Sequence, residues 1–500
     1  MATAPVASKS PFYQRMAPKW KLIDGLLGGT DAMRAAREDF LPKHEEETHP
    51  GYESRLKKAF LYEALGDAIE RVVAKPFSRD VAVKGALPEL VDPIIDNADQ
   101  RGRNLSQFAR DVFEDGVSYG LSHILVDYPK VGSGVNLGLQ RRLNLHPYFT
   151  HVRHDELWGA RWQELPTGQT RLRQVRVNEC HVEEIDAYEE KEIEFVRVIN
   201  APEMDETGLN QIGAGTWELW KKTGNGDAED DWTLDDEGAH TFPGVPLASF
   251  YAKRKAFLEA EIPFRKLATL NLAHWQSSAD QRNILAVARV GILFAAGFTK
   301  QELAGGITIG PNNYIFSSNP EAKMQYVEHT GAAIGAGRID LEDLKGEMAS
   351  LSLTPVLQKS GNQTATGKAI DESKNESVAQ SWVRGLENTL LEALGMAALW
   401  VGVELADDVA VDVFNDFGLS QRAIEDLKAL SESFQSGAIT HATYLSELQR
   451  RGVLREDLDL EAEATAVQTE APRIPFLGDE ANDDINDNDE GEGDPNENDE

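Results

Sequence analysis

The stretch from Ser360 to Val401 constrains the fold of this 500-residue chain more than any other. A polar, glycine-bearing loop, Ser360-Gly361-Asn362-Gln363-Thr364-Ala365-Thr366-Gly367, opens into a run free of proline. The apolar positions Ile370, Val378, Trp382, Val383, Leu386, Leu390, Leu394, Ala397 and Val401 recur largely at i, i+4 and i+8. That spacing lays them on one face of a helix. From Thr366 to Val401 the helix would span roughly 54 Å at ~1.5 Å per residue. Gly385 is its weak point. A helix of this length exceeds what one small core covers, so the pattern predicts a chain that leans on neighbours in an assembly.

The same loop imitates a phosphate-binding loop. That motif needs four residues between its glycines and a Ser or Thr after the lysine, because the hydroxyl ligates magnesium. Here five residues separate Gly361 from Gly367, and Ala369 follows Lys368. The upstream run Leu353–Leu357 contains Pro355, which cannot donate to a central strand ladder. Nucleotide hydrolysis through Lys368 is a rival reading that this spacing disfavours.

Charge sets a second bound. The chain carries 84 acidic and 50 basic residues, a formal net charge of −34. Asp479–Glu500 holds twelve of the acids and no base, and the remainder is still acidic. Acidic surfaces repel phosphate, which disfavours tight nucleic-acid binding but not a passage through which DNA slides without sticking. From Ala471 onward the Asp, Asn, Glu and Gly composition cannot offset chain entropy, which predicts a disordered, solubilising tail. A tail that docks on a basic partner is the sharper alternative. The apolar runs Val290–Phe298 and Leu394–Val403 fall short of the ~20 residues a membrane span needs. The start of the chain, Met1–Pro5, shows no apolar signal core. A lone Cys180 excludes an internal disulfide framework and fits a reducing cytoplasm.

Along the chain, the first 35 or so residues read as a loose arm with a short helix. Tyr52–Val73 reads as one helix, with Leu56, Phe60, Leu61, Leu65 and Ile69 on one side. Asn104 or Ser106 caps a helix that ends at Gly120, before a strand over His123–Tyr128. From Pro147 to about Pro246 the period changes to two. Arg171–Val177, Ile193–Ile199 and Trp217–Trp220 read there as half-buried antiparallel strands. At Pro263 a second long helix begins, and its middle, Gln276–Asn283, is polar all round. Such a helix bridges domains or is held by neighbouring copies of itself. A small strand-rich insert and a helix over 339–351 follow. Ser420 and Thr440 cap two short final helices, with Gly437 after the first. His146, His151 and His154 lie near Asp155 and Glu156. A strand would send His151 and His154 to opposite faces, and no second ligand pair with zinc spacing exists. No Ser/His/Asp or Cys/His pairing stands out.

This order of elements resembles the portal proteins of tailed bacteriophages. Two stretches carry the resemblance further, Leu-Asn-Leu-Ala-His-Trp-Gln-Ser-Ser-Ala-Asp at 270–280 and Ile-Leu-Val-Asp-Tyr-Pro at 124–129. Both look like a divergent branch long known as a family of unknown function. The resemblance covers about residues 20–465. It implies an α+β, portal-type protomer with wing, stem, clip and crown parts and a long tunnel helix, assembling into a dodecameric ring. Its parts would be an arm at 1–39, wing at 40–262, stem helix at 263–290, clip at 291–335 and second stem helix at 336–352. A tunnel loop at 353–365, a long helix at 366–405, a crown at 406–470 and the acidic tail at 471–500 would complete it. Gln358, Lys359, Ser360, Gly361, Asn362, Gln363, Thr364, Thr366 and Lys368 would face DNA in the channel. Asn271, His274, Gln276, Asp280, Gln281 and Arg282 would belong to the stem. The implied partners are further copies of the chain, double-stranded DNA held transiently and without sequence preference, the terminase motor, a head–tail adaptor, and the major capsid protein or a scaffold. No membrane, metal, cofactor or catalytic residue is implied, because the motor ATPase is a separate protein. The place would be a capsid vertex of the virion, after assembly in the bacterial cytoplasm. Another oligomeric head protein, for scaffolding or decoration, is the alternative. It has no use for a Gly/Gln/Asn loop that feeds a long helix.

Overall fold

The computed structural model describes residues 5–130, 145–205, 210–224, 231–289, 292–301, 317–327, 331–352, 365–415 and 419–450, with scattered positions besides. The expected tunnel loop up to Thr364 and the acidic tail lie outside the described residues. The chain divides into two compact units, Met1–Phe417 and Gly418–Glu500.

The first unit opens with α1 (Pro11–Leu27) and α2 (Gly29–Ala35). The segment read as a loose arm with a short helix thus holds two helices, the first of 17 residues. Met16, Trp20, Ile23 and Leu26 recur every three or four residues and are buried in the main core. The single helix expected over Tyr52–Val73 is two, α3 (His49–Lys58) and α4 (Ala64–Ala74). The chain turns extended at Ala59 (φ −61°, ψ 141°). Breaking there keeps Leu61 buried and turns Phe60 and Tyr62 out to solvent.

A short strand β1 (Ala82–Lys84) precedes α5 (Leu105–Tyr119). The start of α5 is fixed by a reciprocal cap, in which the Asn104 side chain accepts from Gln107 N–H and Gln107 accepts from Asn104 N–H. Gly120 ends the helix in the left-handed region (φ 98°), which glycine enters without a Cβ clash. The chain then enters β2 (Leu121–Asp127), followed by β3 (Tyr148–Val152), β4 (Leu157–Glu164), β5 (Thr170–Glu184) and β6 (Glu190–Asn200). Next come the short β7 (Glu203–Met204) and β8 (Gln211–Ile212), then β9 (Gly215–Lys222), β10 (Trp232–His240) and β11 (Leu247–Tyr251). The period-two region forms a five-stranded antiparallel sheet in the order β10-β9-β6-β5-β4. β11-β2-β3 is a separate three-stranded antiparallel sheet.

That three-stranded sheet organises the first unit. Alternation sends Ile124, Val126, Ala248, Phe250 and Phe149 into the helical core, and Leu125, Leu247 and Val152 into a second core shared with the five-stranded sheet. The far face of the larger sheet packs Trp158, Val196, Val198 and Trp232 against Ala7.

A hairpin of β12 (Arg254–Ala256) and β13 (Glu259–Ala260) leads into α6 (Arg265–Ala288). β14 (Ile292–Ala296) pairs antiparallel with β15 (Lys323–Val327), and α7 (Ala332–Leu351) follows. The 36-residue α8 (Ala365–Trp400) is the long helix the sequence predicts. Its stripe from Trp382 to Ala398 is buried against the chain's own core, with Leu386, Leu390 and Leu394 fully covered. That half therefore needs no neighbouring copy. Trp400 anchors its end by donating its indole N–H to Val126 O at 2.9 Å. After α8, β16 (Ala410–Asp412) returns to pair with β1.

The second unit contains α9 (Leu419–Gln435) and α10 (His441–Arg450). Ser420, expected to cap α9, lies inside it as its second residue. Thr440 does cap α10, its Oγ1 accepting from Thr443 N–H at 3.2 Å. Phe434 stacks on Tyr444 with ring centres 4.6 Å apart.

Candidate functional site

The segment from α6 to α8 holds every described residue that the sequence marks for function. Helices α6 and α7 run antiparallel. Ser277 Oγ donates to Asp340 at 2.5 Å, and Gln281 Nε2 donates to Ile334 O at 2.9 Å, so rising numbers on one helix meet falling numbers on the other. Gly337 permits this approach, since a Cβ there would sit 2.1 Å from Gln281 Oε1. The β14–β15 hairpin connects the far ends of the pair.

The polar belly of α6, expected to bridge domains or to meet neighbouring copies, finds partners within its own chain for Gln276, Ser277, Asp280 and Gln281, as does Asn271 ahead of it. Asn271 is fully buried at the α3–α4 break. Its Oδ1 accepts from Leu65 N–H at 3.1 Å and its Nδ2 donates to Tyr62 O at 2.7 Å. Gln276 donates to Phe40 O at 3.0 Å. Asp280 accepts from Arg55 at 3.2 Å and lies 3.2 Å from His44 Nε2. Arg55 itself is buried and grips Glu47 with two bonds of 2.9 and 2.7 Å. That hydrogen bonding holds the Glu47 carboxyl below its usual range and the guanidinium above its own. Arg55 and Glu47 escaped the sequence reading. The available signal was a cation on the buried face of α3, beside Tyr52 and Leu56.

Two of the six stem residues differ. Arg282 is exposed and lies over the Phe60 ring, 5.4 Å from its centre. His274 is 4% exposed, and neither of its ring nitrogens has a partner among the described residues. Burial, reinforced by the Lys345 charge, pushes its pKa down. Both residues line a groove of about 860 Å³ along α6 and α7. Of the expected channel residues, Gln358 through Thr364 lie outside the described residues. Thr366 and Lys368 fall in the first turn of α8.

A second polar cluster is buried beneath the three-stranded sheet. β3 ends at Val152, so His154 is free of strand alternation and turns to the same carboxylate as His151. His154 Nδ1 lies 2.6 Å and His151 Nε2 3.7 Å from Asp115 on α5, which corrects the expectation that they face apart. Burial alone would raise the Asp115 pKa, but bonding to both histidines holds it well below the usual range. His123 sits near them with Nδ1 2.8 Å from Ser249 Oγ, and burial drives its pKa to about 3. Among the described residues, no three His, Cys, Asp or Glu side chains are arranged to hold a metal ion. No described helix is long and apolar enough to cross a membrane.

Residues 263–401 match a domain of unknown function, DUF4055. The match begins just before α6, takes in the hairpin and α7, and ends one residue past α8. No curated protein is significantly similar in sequence. Among solved structures, the chain is similar to one in the neck of an empty gene transfer agent particle computed with C6 symmetry and to one in the neck of the native particle computed with C12 symmetry. Each has a TM-score of 0.40 and 9% identity, covering 79% of this chain and 92% of the other. A chain from the virion of the native gene transfer agent gives a TM-score of 0.39 and 10% identity, over 79% and 91%.

Proposed function

We propose that this chain is a portal-type subunit of a phage-like particle, one copy in a closed ring through which double-stranded DNA passes at a capsid vertex. Its role on this reading is structural and not catalytic. The observation that carries it is the excursion α6–hairpin–α7 between α6 and α8, both of which are rooted in the main core. That is the order stem, clip, stem and tunnel helix that the sequence resemblance implies. The DUF4055 match covers this excursion and the helix after it. The acidic balance fits a channel wall that DNA must not adhere to. Within this reading, residues 40–262 make the wing, 358–368 face the DNA, 406–470 make the crown, and the ring docks a terminase motor and a head–tail adaptor while seated in the capsid shell.

Negative-stain imaging of the purified chain tests the reading directly. Rings with a central hole are expected. A protein that stays monomeric under capsid-assembly conditions would overturn it. Gly361→Pro, which stiffens the loop, is expected to slow DNA packaging while rings still form. Nucleotide binding that disappears with Lys368→Ala would instead favour the NTPase reading.

A further inference from the structure

The groove along α6 and α7 is out of character with the rest of the molecule. Lys58, Arg282, Arg289 and Lys345 line it, and none of the four forms an ion pair among the described residues. Among the described residues no Asp or Glu lines it, in a chain of net charge −34. Phe60 and Tyr62, turned out by the α3–α4 break, are 53% and 41% exposed on its wall. Each carries a cation over its ring, Arg282 on Phe60 at 5.4 Å and Lys345 on Tyr62 at 4.9 Å. Buried His274 opens on the same groove with both nitrogens unpartnered. Buried polar atoms are ordinarily paired. A basic, aromatic groove with an unsatisfied imidazole at its base is built for an occupant that brings carboxylates and an apolar side chain.

The same helix pair carries such a surface on another side. At ~100° per residue, Ile339, Asp343 and Glu347 of α7 point away from Ile334, Arg338 and Lys345, which face the groove. Ile339 is 53% exposed, and Asp343 and Glu347 are exposed without an ion pair among the described residues. Glu342 sits between the two faces and pairs with Arg338 at 2.9 Å. One face therefore offers an apolar knob flanked by acids, and another a basic groove with apolar walls.

We infer that the groove receives the Ile339–Asp343–Glu347 face of α7 from a second copy of this chain. The two surfaces are different patches of one molecule, so the contact is head-to-tail. Repetition of such a contact generates a ring when the rotation closes. This assignment rests on the ring reading above and names the contact that would propagate it. Asp343 and Glu347 meet Arg282 and Lys345, Ile339 enters between Phe60 and Tyr62, and His274 gains a hydrogen-bonding partner.

The test is charge reversal in the full-length chain, read by mass photometry and negative stain under conditions where the unaltered protein assembles. Asp343→Lys with Glu347→Lys, and separately Arg282→Glu with Lys345→Glu, are each expected to raise the concentration needed for assembly by about tenfold or more, as opposed charges become like. All four positions are exposed, so far-ultraviolet circular dichroism and melting of the monomer should stay unchanged. Mixing the two variants should restore mixed assemblies, because each then offers one native face to the other's native face, and joining all four changes in one chain should recover self-assembly. Rings formed at the original concentration by both variants would overturn the inference and leave the ring reading standing. An unaltered chain that never assembles would overturn both. If Arg282→Glu with Lys345→Glu abolishes binding to a double-stranded DNA probe while assembly is untouched, the groove serves nucleic acid and the inference is wrong.

Discussion

Asn271→Leu is the substitution that best tests whether Asn271 of α6 serves the fold of its own protomer. Asn271 is fully buried, and its amide closes the gap between α3 and α4 by serving Leu65 N–H and Tyr62 O together. Leucine matches its size and supplies neither bond. Each backbone group then left buried and unpaired costs about 1–3 kcal/mol. The better apolar packing of leucine offsets part of this, so a net loss of about 2–4 kcal/mol is expected. Asn271→Asp should also destabilise, since it keeps the acceptor for Leu65 N–H but turns a second acceptor toward Tyr62 O. Urea denaturation of the full chain, followed by tryptophan fluorescence, reads the effect as a lower midpoint at unchanged slope. A stability within ~0.5 kcal/mol of the original, combined with a packaging defect, would refute the argument and leave Asn271 with a role in the stem beyond its own protomer's fold.

Arg55→Met should cost about 3–5 kcal/mol, because it strands Glu47 without its guanidinium partner; the same urea assay checks it, and a loss below ~1 kcal/mol would show that water replaces the pair. Gly116→Ala should destabilise by about 1–3 kcal/mol despite the better helix former, since its Cβ would lie 2.3 Å from the Phe250 ring; a rise in melting temperature would mean that the ring yields freely. Stability should fall in acid through two groups of the buried cluster. His123, driven to about 3 when folded, is protonated in the unfolded chain below ~6.5, so its contribution is lost as pH drops from ~6.5 to 3. Asp115, held low when folded, contributes fully above ~3.9 and loses that contribution as pH falls through its folded value. Denaturation midpoints of His123→Gln measured from pH 7 to 4 should be flatter than those of the unaltered chain, and parallel curves would contradict the assignment.

Local signals in the sequence translated well into local structure. Of the two caps offered for α5, Asn104 is the one used and Ser106 lies inside the helix; Gly120 marks its end, and period two marks β5, β6 and β9. The apolar stripe of α8 identified the longest helix, though not what covers it. What failed were inferences about partners. Apolar spacing alone runs unbroken through Ala59–Glu63, and the break becomes stable only because Asn271, more than 200 residues later, pairs its free backbone groups. The polar face of α6 suggested neighbouring copies because Phe40, Arg55, Ile334 and Asp340 are remote in sequence. The histidine geometry failed for a smaller reason: β3 stops two residues short of His154, so alternation does not reach it. Of the six stem residues, four are occupied inside the protomer, whereas His274 and Arg282 open onto the groove.

The pairing of Ala82–Lys84 with Ala410–Asp412, like the seating of α8 beside α5, joins segments some 300 residues apart. During synthesis at roughly 5–20 residues per second, the ribosome needs on the order of tens of seconds to supply the second partner after the first. Through that interval Phe250 lacks Gly385 beside it, and the sheet face beneath α8 is open. The nascent chain is therefore a substrate for chaperones until its last quarter emerges, and overproduction without added chaperone should yield aggregates richest in chains truncated before Trp382.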